Sequence, residues 1–129
     1  MKFRSWKIGI WIFKCMKISD ISKVLNARVA IGGDYLDREV EFACASDLMS
    51  DVLTIEKHNI LLITGMATIQ TMRTAEMSDA AMVLLVRNKK ATPEMKAIAN
   101  QNNLVILEYE GSMFQASGLL FKAGIKPLY

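Results

Sequence analysis

The hydropathy pattern predicts an α/β fold with a mostly parallel sheet, and three observations carry that expectation. Residues 59–65 read Asn-Ile-Leu-Leu-Ile-Thr-Gly, four successive apolar residues between a polar turn and a Thr-Gly stop, which suits a strand covered on both faces. A polar, helix-like stretch follows, and then a second apolar run at residues 81–86. Strand, helix and strand in that order mark a crossover unit of a parallel sheet. Residues 104–109 form a third run, preceded by Thr92-Pro93-Glu94, a helix start made of a capping hydroxyl, a proline at the first position and an acidic residue.

The remaining elements follow in chain order. Residues 1–15 differ in composition: Lys2, Arg4, Lys7 and Lys14 interleave with Trp6, Ile8, Ile10, Trp11, Ile12 and Phe13. A secretory signal needs an apolar core of about 7 to 15 residues and a small-residue cleavage site. Lys7 and Lys14 instead confine the apolar stretch to residues 8–13, and Lys14 before Cys15 argues against a lipoprotein. We expect residues 1–15 to be an N-terminal extension, with Met16 as the natural start and residues 16–129 as the domain. A membrane-surface segment is the alternative, because basic residues mixed with Trp and Phe suit an interface.

After Met16, Ser19 is placed to cap a helix, Asp20 opposes its dipole, and Ile21, Val24 and Leu25 form its apolar stripe. Residues 28–31 alternate as a short strand that ends at Gly32-Gly33. Residues 39–45 read as a second strand, with Val40, Phe42 and Cys44 on one face and Glu39 and Glu41 on the other. Ser46 or Asp47 then caps a helix to about Thr54, with Leu48, Val52 and Ile55 inward. Thr68 caps the helix after the opening strand, whose inward face is Ile69, Met72 and Ala75. Met95, Ile98 and Ala99 line the next helix. The last helix runs from Ser112 to Ala123 and stops at Gly124, with Met113, Ala116, Ser117 and Leu120 on a narrow face of mostly small residues.

Composition bounds the function. A chain of 129 residues is one domain with a genuine core. Apolar residues make up 52% of it and mean hydropathy is +0.22, yet no run approaches the roughly 18 residues that span a bilayer. The surplus points to a filled core and a subunit interface, hence a homodimer. A net charge of +3 without a basic stripe gives no reason to expect a nucleic-acid partner. Two cysteines in unlike settings fit a reducing, cytoplasmic compartment.

The search for chemistry finds little. His58 stands among the turn residues Lys57 and Asn59 and reads as a loop histidine. Cys44 lies near a strand's carboxyl end before a helix, where a thiolate can be stabilised, but Asp47 is close by and a buried small side chain is the simpler reading. No metal motif, redox pair or Gly-rich phosphate loop occurs, so no catalytic residue, metal or cofactor is expected. One constellation remains. Parallel sheets take ligands at the carboxyl ends of their strands, and that edge collects Cys44, Ser46, Thr64, Gly65, Thr68, Arg87, Asn88 and Ser112. Small hydroxyls, a glycine and an arginine there suit a phosphate or carboxylate.

Several stretches carry a family resemblance: Met16-Lys17-Ile18-Ser19-Asp20-Ile21, Ala43-Cys44-Ala45-Ser46-Asp47-Leu48-Met49-Ser50-Asp51, Leu61-Leu62-Ile63-Thr64-Gly65, Arg73-Thr74-Ala75-Glu76-Met77 and Ser112-Met113-Phe114. From Met16 to Ile125 the chain resembles a stand-alone DRTGG domain. The resemblance implies an α/β fold like the N-terminal domain of HPr kinase/phosphorylase. Such domains also occur in phosphotransacetylases and beside CBS domains in regulatory pyrophosphatases, where adenine-nucleotide sensing and a dimer are implied. Single-domain relatives resemble accessory proteins encoded near iron-only hydrogenase and related redox genes in anaerobic bacteria. Two motifs depart from the pattern. Gly65 is kept, but Met66-Ala67 stands where Asp-Arg belongs, and Arg87-Asn88 falls near the Thr-Gly-Gly position. The expected function is a non-catalytic regulatory or ligand-sensing domain for an adenine nucleotide or other small anionic, phosphorylated molecule. The alternative is an accessory factor partnered with a redox enzyme.

Overall fold

Residues 15–128 are described in this computed structural model. All of the expected N-terminal extension except Cys15 lies outside the described residues, and Cys15 itself is exposed. In chain order the elements are β1 (Met16–Lys17), α1 (Ile18–Leu25), β2 (Arg28–Ile31), a 3-10 turn (Gly33–Tyr35), β3 (Glu39–Val40), β4 (Phe42–Ala45) and α2 (Met49–Val52). They continue as β5 (Ile60–Thr64), α3 (Ile69–Met77), β6 (Ala80–Leu85), α4 (Pro93–Gln101), β7 (Val105–Glu108), α5 (Met113–Ala123) and β8 (Lys126–Pro127).

The main sheet has the order β2-β7-β6-β5-β4-β8. Strands β4 to β7 are parallel neighbours in sequence order, as the alternating pattern predicts, and β8 adds a short parallel edge beside β4. The other edge is antiparallel: β2 pairs with β7. The expectation of about four main strands matches the parallel centre, to which the two edge strands are additions. A separate two-stranded ribbon joins β1 to β3.

Register sorts the core into two layers. Cys44, Leu62, Val83 and Ile106 lie in one row across four strands, and the next row is Ala45, Ile63, Leu84 and Leu107. Because successive side chains alternate faces, the first row packs under Met49 and Val52 of α2, Met72 and Ala75 of α3, and Met95 and Ala99 of α4. Ile63, Leu84 and Leu107 of the second row pack under Ile18, Ile21 and Leu25 of α1 and Ala116 and Leu120 of α5. The last crossover, from β7 through α5 to β8, therefore returns over the face opposite α2, α3 and α4. Buried methionines fill the interior, as their flexible thioethers allow.

Three helix caps form as the local sequence predicts. Thr68, Thr92 and Ser112 accept the N–H of Thr71, Met95 and Gln115 respectively, and Gly124 ends α5 in a left-handed conformation. Other expectations are corrected. Ser19 caps nothing, because α1 already begins at Ile18 and the N–H groups of Ile18 and Ser19 donate to the carbonyls of Arg38 and Leu36. Val24 lies outside the buried stripe of α1.

The strand expected over residues 39–45 is two strands. It changes partner at Glu41, whose carbonyl accepts the Lys126 N–H. The alternation resets there, so Val40 joins the α1/α5 layer and Cys44 the opposite one. Neither Ser46 nor Asp47 caps α2, which is only four residues long with Leu48 at its N-cap. Leu48, expected inward, is 58% exposed, and Ile69 also faces out. Thr71 and Thr74 are buried in their place, the Thr71 hydroxyl being satisfied by the Met66 carbonyl at 2.7 Å.

Candidate functional site

Three strand ends meet at the carboxyl edge of the sheet. Thr64 closes β5, Gly65 follows it, Asp47 lies in the turn after β4, and Arg87 leaves β6. The Asp47 carboxylate draws them together. Its Oδ1 accepts the Thr64 hydroxyl at 3.0 Å and the Gly65 N–H at 2.8 Å, while Oδ2 lies 3.1 Å from Arg87 Nη2. Thr64 Oγ1 in turn accepts the Met66 N–H at 3.1 Å. Desolvation opposes ionisation of Asp47, but the Gly65 N–H, the Thr64 hydroxyl and the Arg87 charge outweigh it and hold the carboxyl below its ordinary range.

Gly65 leaves room for what lies over it: a Cβ there would overlap the Arg87 guanidinium, which would have to move aside. Arg87 and Asn88 are both left-handed, with φ 59°, a conformation unfavourable for side chains with a Cβ. Backbone bonds hold them there, from Arg87 N–H to the Gly111 carbonyl at 2.7 Å and from Asn88 N–H to the Tyr109 carbonyl at 3.0 Å. The Arg87 side chain is thus aimed back across Gly65 by the backbone beneath it.

Of the eight residues assigned to the edge from sequence, Thr64, Gly65 and Arg87 come together. The other five do not join this hydrogen-bonded cluster. Cys44 is buried in the α2–α4 layer, where burial first and then the charge of Asp51 push its thiol up. The Ser46 hydroxyl accepts the Leu48 N–H at 3.0 Å in a local turn. Thr68 and Ser112 cap α3 and α5, and Asn88 is exposed. The residue missed is Asp47. An acidic side chain straight after a strand is the available signal, but Ser-Asp before a helix also matches a cap.

A second carboxylate lies further along the edge. Glu108, at the end of β7, has a side chain only 2% exposed. It accepts the Ala91 N–H at 2.8 Å, pairs with Arg28 of the antiparallel edge strand, and has Lys90 Nζ at 4.0 Å. Desolvation again opposes ionisation, and the Ala91 N–H, Arg28 and Lys90 hold its carboxyl low. His58 precedes β5, at the opposite end of the strand from Thr64, with Nδ1 3.0 Å from Asp79 Oδ2. Beside α5, an apolar groove of about 350 Å³ is lined by Ala43, Ala45, Phe114, Gly118, Phe121 and Pro127, and Phe114 is 88% exposed. Among the described residues, no three His, Cys, Asp or Glu are grouped to hold a metal, and no helix is long and apolar enough to cross a membrane.

No family model matches the chain. No curated protein sequence matches it either. A solved structure does: the CBS and DRTGG domains of the regulatory region of Clostridium perfringens pyrophosphatase, complexed with the activator diadenosine tetraphosphate. It superposes with a TM-score of 0.67 at 12% identity, over 84% of this chain and 47% of that one. The fold is DRTGG/CBS-like. The chain spans about half the length of this structural neighbour, and at such low identity the likeness is one of fold. Within this DRTGG/CBS-like fold, Met66 and Ala67 carry no charge. The Met66 N–H serves Thr64, and Ala67 packs against the α2–α4 layer. The charge at this part of the edge comes instead from Asp47 and Arg87.

Proposed function

We propose that this DRTGG/CBS-like domain is a regulatory, ligand-sensing module rather than an enzyme. Its carboxyl edge receives a small anionic ligand, an adenine nucleotide or another phosphorylated molecule. One observation carries the reading: a backbone N–H, a hydroxyl and a guanidinium converge at the ends of two adjacent parallel strands, and the point on which they converge already holds an oxyanion, the Asp47 carboxylate. Charge-assisted donors of this kind serve phosphate equally well. The neighbour's activator, a diadenosine polyphosphate, supports the ligand class. A cysteine enzyme is disfavoured, because Cys44 is buried with a raised thiol and His58 lies at the far end of β5.

The test is thermal denaturation with AMP, ATP, diadenosine tetraphosphate and an acyl phosphate. A ligand at 100 times its Kd adds about 2.7 kcal/mol of stability, and Arg87→Ala should weaken binding and reduce the shift, with little change in the unliganded melting temperature. A second reading makes the domain an accessory factor for a protein partner, for which the apolar groove with Phe114 offers a surface. The same groove and the short β8 edge also support a homodimer. Light scattering that gives only the 14.5 kDa species would remove the dimer, and an unshifted melting temperature with every nucleotide would put the accessory reading first.

A further inference from the structure

We infer that Asp47 is the resident occupant of the anion seat, and that a ligand enters by displacing its carboxylate. The inference rests on the reading of the carboxyl edge as an anion site and says how that site is regulated. The donors there are committed: the Gly65 N–H and Thr64 hydroxyl go to one carboxylate oxygen and the Arg87 guanidinium to the other. An incoming phosphate finds the Gly65 and Thr64 donors taken, and at the remaining guanidinium N–H groups it meets a negative charge that offsets the arginine's.

The carboxylate can nonetheless leave as a ligand oxygen arrives to take the buried Thr64 and Gly65 donors in its place. The Asp47 side chain is 39% exposed and that of Arg87 43%, so solvent and ligand reach both. Asp47 caps no helix, since α2 starts from Leu48 without any side-chain cap, and swinging it out exposes no helix terminus. Its movement acts on the turn through Ser46 and Leu48 that leads into α2, whose Met49 and Val52 sit in the core. Asp47 thereby sets the ligand concentration at which the edge responds, and its turn carries the response inward.

The test is calorimetric titration of the full chain with diadenosine tetraphosphate and, separately, with inorganic phosphate. The proteins are wild type, Asp47→Asn, Asp47→Ala, and Asp47→Ala combined with Arg87→Ala. Asp47→Ala should bind tighter by about tenfold, Asp47→Asn by less, and the gain should vanish in the double variant. Asn keeps an acceptor for the Gly65 N–H, so it reads the effect even where Ala impairs folding. Equal or weaker binding in both single variants overturns the inference while leaving the edge an anion site. No binding of either probe to any of the four proteins overturns both.

Discussion

Asp47 and Glu108 solve the same local problem in two ways. Each is a carboxylate at the carboxyl edge, each takes one backbone N–H, from Gly65 or Ala91, and each pairs with an arginine from another part of the chain. They differ in burial. Glu108 is closed off from water and ties the loop before α4 and the edge strand β2 to the end of β7, whereas Asp47 stays open to solvent. A buried acceptor cannot be withdrawn without stranding its donors, while an exposed one can exchange with water or with another anion. The same set of partners is a rivet in one place and a catch in the other.

That contrast is easiest to break at Glu108. Glu108→Ala should lower stability by about 2 kcal/mol in urea denaturation, because it leaves the Ala91 N–H unpaired and unties the loop before α4 from the end of β7. A loss below about 1 kcal/mol, the range of an exposed pair, would erase the distinction. Acid titration sharpens it. Both carboxyls are held below their ordinary range, so their contribution is complete above the unfolded carboxylate value of about 4 and is lost as pH falls through the folded values. Stability measured from pH 6 down to pH 2 should therefore fall less steeply in Glu108→Gln than in wild type, with a smaller change in Asp47→Asn.

Gly65→Ala comes next. Its Cβ meets the far end of a flexible side chain, so the cost should be about 1 kcal/mol. The more telling readout is loss of the Asp47–Arg87 pair, seen in the guanidinium NMR signals. Intact signals there would mean that the glycine is not what lets arginine lie across the edge. The smallest effect is that of Asp47→Asn, under about 1 kcal/mol and fading in 1 M salt. A salt-insensitive loss of several kcal/mol would make Asp47 a second rivet.

Features governed by near neighbours were legible in the sequence. Thr68, Thr92 and Ser112 cap their helices three residues ahead, and the apolar runs of β5 and β6 are covered on both faces because nothing in them is polar enough to face water. Features set by distant partners were not. Asp47 looks like a cap until Gly65 and Arg87 are brought beside it, and Ser19 looks like one until the backbone of residues 36–38 takes its place. Alternation through Val40, Phe42 and Cys44 is sound local reasoning, overturned because Glu39–Val40 and Phe42–Ala45 belong to different sheets. Glu108 offered no signal at all: an acidic residue closing an apolar strand is ordinarily solvated, and only the Ala91 N–H, Lys90 and Arg28, the last eighty residues earlier, make its burial tolerable.

The return of α5 across the sheet also sets an order of events during synthesis. Strands β4 to β7 and helices α2 to α4 leave the ribosome in sequence and build one side of the domain as they appear. Among the described residues, the opposite side, with Leu61, Ile63, Met82 and Leu84, has only α1 over it until Met113–Ala123 has emerged. A nascent chain paused before that point presents a wide apolar surface, the kind that recruits chaperones or aggregates. The final helix is thus the step that commits the chain to its native state, and a chain shortened before it should be insoluble rather than merely smaller.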